Sequence, residues 1–132
     1  MVSVEDFLNN LEGVRKRIAE ACDAFGRSPD EVALLPVTKT WPAEAARMAF
    51  TAGFPTVGEN RVQEALAKME EVVGQGDWEL IGHLQSNKAK FIPGKFVRVQ
   101  SVDSKKLILR LDAVAREREC PPVRILLQVN AG

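Results

Sequence analysis

The sequence contains no tyrosine, a single histidine (His83), and two cysteines, Cys22 and Cys120, set far apart. Without CxxC spacing, a disulfide framework or a zinc site is not expected, and a reducing cytoplasm is the default. Lys+Arg and Asp+Glu both number 18, so no net charge draws the chain to nucleic acid or to a membrane surface. No apolar run is long enough to span a bilayer. The N-terminus, MVSVEDFLNN, is acidic and amphipathic and has no signal-peptide pattern. There is no GxGxxG, no P-loop pattern, no internal repeat and no linker-like segment. A cytoplasmic protein forming a single α/β domain over residues 1–132 is expected.

What is present is a core-forming content of apolar residues, 45% of the chain, in a regular rhythm. Residues 4–25 read as a helix, with Leu8, Leu11, Ile18, Ala21, Cys22 and Phe25 at helical spacing. Ser3 and Asp6 form a capping pair for it, and Gly26 follows its last apolar position. VALLPVT (32–38) is a continuous apolar run, as in a parallel strand covered on both faces. Pro42 opens a helix that Gly53 closes. FPTVGEN (54–60) reads as a second strand. The helix after it carries Val62, Leu66, Met69 and Val73 on one stripe, with Gly74 at its end. WELIGHL (78–84) is a third strand, SNKAKFI a short helix, and FVRVQSV (96–102) a fourth strand. A helix capped by Asp103 or Ser104, with basic residues late, leads to a fifth strand, VRILLQVN (123–130).

Regular alternation of strand and helix predicts a parallel α/β sheet. An open doubly wound sheet that binds dinucleotides usually carries glycines after its first strand, where this chain reads TKTWPA. A (β/α)8 barrel needs eight strands and typically ~250 residues. Five strands in 132 residues predict a partial (β/α)8 TIM barrel.

In either architecture, ligands bind at the carboxyl ends of the strands. Lys39 ends the first predicted strand, Glu59 and Asn60 the second, His83 and Gln85 the third, Asp103 the fourth and Asn130 the fifth. Side chains alternate along a strand, so Lys39 shares its side with Val37, Leu35 and Ala33. If that side faces a barrel interior, burial favours the neutral amine, which can attack an aldehyde. The plain alternative is a solvated lysine after a strand. Ser86-Asn87-Lys88 reads either as a helix cap with solvated lysines or as an anion site. Glu59-Asn60 reads most simply as a strand end that caps the next helix. His83 reads as a hydrogen-bonded structural residue or as an acid, and Asn130 as a loop-holding residue. Met48 and Met69 read as ordinary core.

The strings LLPVTKTWP, AGFPTVGENRVQEALAKME, WELIGHLQSNKAK, VQSVDSKKLILRLD and ILLQVN occur in this order. Together they closely resemble the pyridoxal phosphate homeostasis protein family (YggS/PROSC), from the first helix to the last residue. The resemblance implies a barrel like the N-terminal domain of alanine racemase. It also implies pyridoxal 5′-phosphate held as an internal aldimine by the lysine of the V-[ST]-K-T-x-P motif, here Lys39. Asn60, His83 and Asn130 fall on motifs near the implied cofactor site. The family is regarded as non-catalytic, binding and delivering the cofactor in vitamin B6 homeostasis.

Three departures stand out. Thr38 stands where serine is commoner. Thr56-Val57 replaces an aromatic-containing version of its strand. The family is nearly twice this long, and its phosphate-holding segments belong to the C-terminal half, which raises the alternative of a barrel fragment without effective cofactor binding. A five-strand piece also leaves open edges, which predicts self-association. An enzyme related to alanine racemase is a further alternative, but such racemases pair the lysine with a tyrosine, which this sequence lacks.

Overall fold

The computed structural model describes residues 2–132, which divide into two compact units, one ending at Leu35 and the other running from Pro36 to Gly132. The first unit holds helix α1 (Val4–Ala24) and a 3-10 turn at Pro29–Glu31. Ser3 caps α1 as its sequence predicts: its Oγ accepts the Asp6 amide at 3.1 Å and donates to Asp6 Oδ2 at 2.7 Å. Gly26 follows in the left-handed region, φ 66°, and the Arg27 amide reaches back to the Cys22 carbonyl at 3.0 Å. The predicted apolar stripe is only partly covered. Cys22 is buried, Leu11 and Ile18 are half-buried, and Leu8, Ala21 and Phe25 are exposed.

The second unit is a four-stranded parallel sheet with helices between its strands: α2 (Ala43–Thr51), β1 (Thr56–Glu59), α3 (Val62–Glu71), β2 (Asp77–Leu80), a 3-10 segment (Ser86–Phe91), β3 (Arg98–Val102), α4 (Lys105–Glu117) and β4 (Arg124–Leu127). The strands neighbour one another in chain order, β1-β2-β3-β4, and every pair is parallel. A doubly wound sheet reverses its order at a switch point, whereas a barrel wall does not. The sheet is therefore part of a barrel-type fold. Its core is built from Val57, Leu80, Val99 and Val102 on the strands and from Leu107 and Leu111 on α4. Each such side chain contributes about 1.5–3 kcal/mol by leaving water. Gly53 (φ 97°) and Gly74 (φ 71°) follow α2 and α3 where only a left-handed residue can turn the chain, and Ser104 caps α4 through the Leu107 amide.

The first of the five expected strands, 32–38, does not form. Only Val37 pairs, as an isolated parallel bridge to Gly58. The Gly58 amide donates to the Pro36 carbonyl at 2.8 Å, and the Thr38 amide donates to the Gly58 carbonyl at 3.0 Å. The preceding rung would need an amide hydrogen at Pro36, which proline lacks. The following rung is lost because the Thr38 carbonyl instead accepts the Trp41 amide (3.2 Å) and Lys68 Nζ (2.8 Å), and the Thr40 amide donates to Glu64 Oε1 (2.8 Å). The remaining strands are shorter than their apolar runs suggest, because residues 81–85 and 128–130 turn into the loops of the rim.

Helix α3 also departs from its expected face. Its neighbourhood buries Val62, Ala65, Lys68 and Val72, whereas Leu66 and Met69 are half-covered and Val73 is exposed. Two acidic partners allow Lys68 to occupy an inward position. Neither Glu59 nor Asn60 caps α3; Arg61 stands at its N-cap without a side-chain cap, as Gln85 does before the 3-10 segment. Met48, like Met69, is half-buried rather than central.

Candidate functional site

Because all strands run the same way, their carboxyl ends share one rim. Lys39 sits there at the second position of a tight turn, Thr38-Lys39-Thr40-Trp41, closed by the Trp41 amide on the Thr38 carbonyl. Thr40 occupies the third position with φ 65°, a conformation costly for a β-branched residue. The turn holds because both sides of Lys39 are fixed. Thr38 is buried, and its Oγ1 donates to Glu59 Oε1 at 2.6 Å. The Thr40 amide is held by Glu64 Oε1.

Lys39 itself is exposed, and Val37 on the same side of the chain is 45% exposed. The burial expected for this lysine is therefore not observed, since the isolated Val37 bridge leaves that side open. Its ammonium makes no hydrogen bond or ion pair among the described residues. Lys68 is the opposite case. It is 6% exposed, and its Nζ donates to Glu59 Oε1 (2.6 Å), the Thr38 carbonyl (2.8 Å) and Glu64 Oε1 (3.1 Å). All three ammonium hydrogens are thereby committed. Glu59 is fully buried, and its second oxygen, Oε2, has no protein partner. The contact with Lys68, followed by the Thr40 amide, holds the Glu64 carboxyl below the usual glutamate range.

Beside this turn, the loops after β1 and β2 enclose a cleft of about 510 Å³, a usual size for a small-molecule site. Its wall includes Asn60, Arg61, Glu64, His83, Gln85 and Lys88. The two loops touch at Gly82. A Cβ there would strike the Asn60 carbonyl and lie 2.5 Å from Asn60 Oδ1. Ser101 Oγ, from β3, donates to the Gly82 carbonyl at 2.5 Å. The glycine of the IGHLQ string is thus the close-approach point of the rim.

The structure accordingly brings Asn60 and His83 to one cleft and joins the Lys39 turn to it through Glu64. His83 is exposed, with Nδ1 3.9 Å from Asp103 Oδ2. Asn130 is exposed and does not line the cleft; its Oδ1 accepts the Gly132 amide at 3.3 Å. Sequence reading missed Lys68 and Glu64 altogether. One signal was available: in GENRVQEALAK, a lysine four residues after a glutamate occupies a turn of α3 that otherwise faces the core.

The arrangement suits an aldehyde-bearing anionic cofactor. A free amine stands on the rim, and Arg61, Lys88 and His83 stand in the adjoining cleft. No family model matches the chain. It is 45% identical over 124 residues to the pyridoxal phosphate homeostasis protein of Pseudomonas aeruginosa, covering 93% of this chain and 54% of that protein. The protein of the same name from Escherichia coli strain K12 is 38% identical over 131 residues, covering 96% of this chain and 56% of the relative. The chain thus spans about half the length of the curated relatives it matches. The solved structure of PipY from Synechococcus elongatus with PLP bound superposes with a TM-score of 0.74 at 42% identity, covering 87% of this chain and 55% of that one. The crystal structure of an unknown protein from Bifidobacterium adolescentis gives a TM-score of 0.79 at 30% identity, with 90% of this chain and 54% of that one covered. The resemblance carried by the sequence motifs stands: over nearly its whole length the chain is a relative of the pyridoxal phosphate homeostasis proteins.

Proposed function

We propose that this relative of the pyridoxal phosphate homeostasis proteins binds pyridoxal 5′-phosphate through Lys39 and serves cofactor homeostasis in the cytoplasm as a binding protein rather than an enzyme. The observation that carries this reading is the contrast between its two turn-associated lysines. Lys68 is buried and fully committed, whereas Lys39 is exposed, unpaired and held at the corner of a turn anchored on both sides. The cofactor, when bound, supplies an aldehyde. Lys39 would be the residue that holds the cofactor, the chemistry being condensation of its amine with that aldehyde, with loss of one water. Asn60 and His83, at the cleft beside the turn, are the polar groups placed to meet the rest of the molecule.

The second part of the proposal is self-association. β4 ends the sheet with Leu126 47% and Leu127 66% exposed, an apolar edge of the kind that pairs with another chain.

The test of cofactor binding is intact mass after mixing with pyridoxal 5′-phosphate and reducing with borohydride. One added pyridoxyl group, absent from Lys39→Ala, supports the reading. Modification spread over many lysines and unchanged in Lys39→Ala overturns it.

A further inference from the structure

Lys68 and Glu64, which the sequence does not mark as site residues, converge with the strand-end Glu59 on the Lys39 turn. Lys68 Nζ holds the Thr38 carbonyl, Glu59 Oε1 holds the Thr38 hydroxyl, and Glu64 Oε1 holds the Thr40 amide. Lys68 also bonds both carboxylates, so the three contacts form one connected unit. We infer that Lys68 is a positioning residue for Lys39: with Glu59 and Glu64 it clamps the residues on either side, fixing the direction in which the reactive amine leaves the turn.

The physical case rests on geometry and burial. Lys68 and Glu59 are 6% and 0% exposed, so their contacts are shielded from water and from salt. Thr40 is in a left-handed conformation that a β-branched residue does not hold unaided. A buried ion pair is poor evidence for stability, because well-packed apolar residues often replace one at no loss. One directed at the two neighbours of a reactive lysine has a positional use instead, and small misplacements of a reacting group cost large factors in rate.

The inference rests on the proposal that Lys39 captures the aldehyde, and the test separates the two. Pyridoxal 5′-phosphate is the probe; borohydride fixes the product, and peptide mapping gives Lys39 labelling relative to Lys16 and Lys95 in the same molecule. The double variant Glu59→Leu/Lys68→Met removes the clamp without leaving a lone buried charge. It is expected to stay folded by circular dichroism and to lose at least about tenfold of the Lys39 preference. Lys68→Arg, which keeps the charge and the donors, is expected to recover most of it. If the double variant is folded and keeps the preference within about twofold, below that expected change, the clamp is overturned while the Lys39 proposal survives. If the unsubstituted chain shows no preference for Lys39, both fall. Should the double variant not fold, Glu64→Ala decides by the same ratio: it releases the Thr40 amide and leaves the Glu59–Lys68 pair intact.

Discussion

Lys68 and Glu59 meet at 2.6 Å in the interior, both shielded from solvent, beneath the turn that presents Lys39. The pair is asymmetric in its consequences. Removing Lys68 alone leaves Glu59 fully buried with neither oxygen paired to a cation. Lys68→Met is therefore expected to destabilise the chain by about 3–5 kcal/mol, and replacing both partners with apolar residues by much less. Urea unfolding of the two variants at neutral pH checks this. Equal losses in both would mean that the pair's worth lies in packing rather than in charge compensation.

Gly82 is the second fixed point of the rim. A methyl group there would press first on the backbone carbonyl of Asn60, which cannot swing aside as a side-chain end can. Gly82→Ala is expected to cost about 1–3 kcal/mol by overpacking and to push apart the loops that form the cleft. Thermal unfolding reads the first effect. The second appears as weaker cofactor retention with Lys39 still reactive toward borohydride trapping. A variant with unchanged melting would show that these loops slide past one another easily.

The alternation of strands and helices, the capping serines and the rim position of Lys39 were all legible in the sequence, because each depends on local chemistry: apolar runs, hydroxyls before helices, glycines after them. The first strand was misread for an equally local reason, since Pro36 breaks the ladder within the apolar run. Lys68 was marked only by its spacing from Glu64, because its placement is decided across the fold. A lysine on an amphipathic helix ordinarily marks the solvent face. Only the arrival of Glu59 from β1 and of the Thr38 carbonyl from the turn makes the interior acceptable to it. Asn60 and His83 could be named from their strand ends, but their convergence on one cleft depends on the parallel pairing of β1 with β2.

The exposed edge of β4 leads to a prediction about assembly. Arg124, Ile125 and Leu127 pair with β3 on one side, and the side chains of Leu126, Leu127 and Val129 remain in contact with solvent. Light scattering at micromolar concentration is expected to show a species larger than the monomer, and Leu127→Lys is expected to shift it toward the monomer, as charge does on natural edge strands. A folded monomer before substitution would rule out this edge as an association surface.

Glu64 ties the turn to pH. Lys68 first, then the Thr40 amide, favour its ionised form and depress its folded-state pKa, while burial opposes them. A depressed carboxylate contributes stability that is fully present above the unfolded glutamate value, about 4.3, and disappears as pH falls through the folded-state value below it. Protonation also weakens the Glu64 contacts to the Thr40 amide and to Lys68. Acidification below about pH 4 is thus expected to lower the urea midpoint. Glu64→Gln keeps an oxygen acceptor for the Thr40 amide but cannot titrate. Its stability profile is expected to be flatter across that window and lower than that of the unsubstituted chain at neutral pH. If the two profiles run parallel from neutral pH into acid, the carboxylate contributes nothing by its charge and serves the Thr40 amide only as a neutral acceptor would.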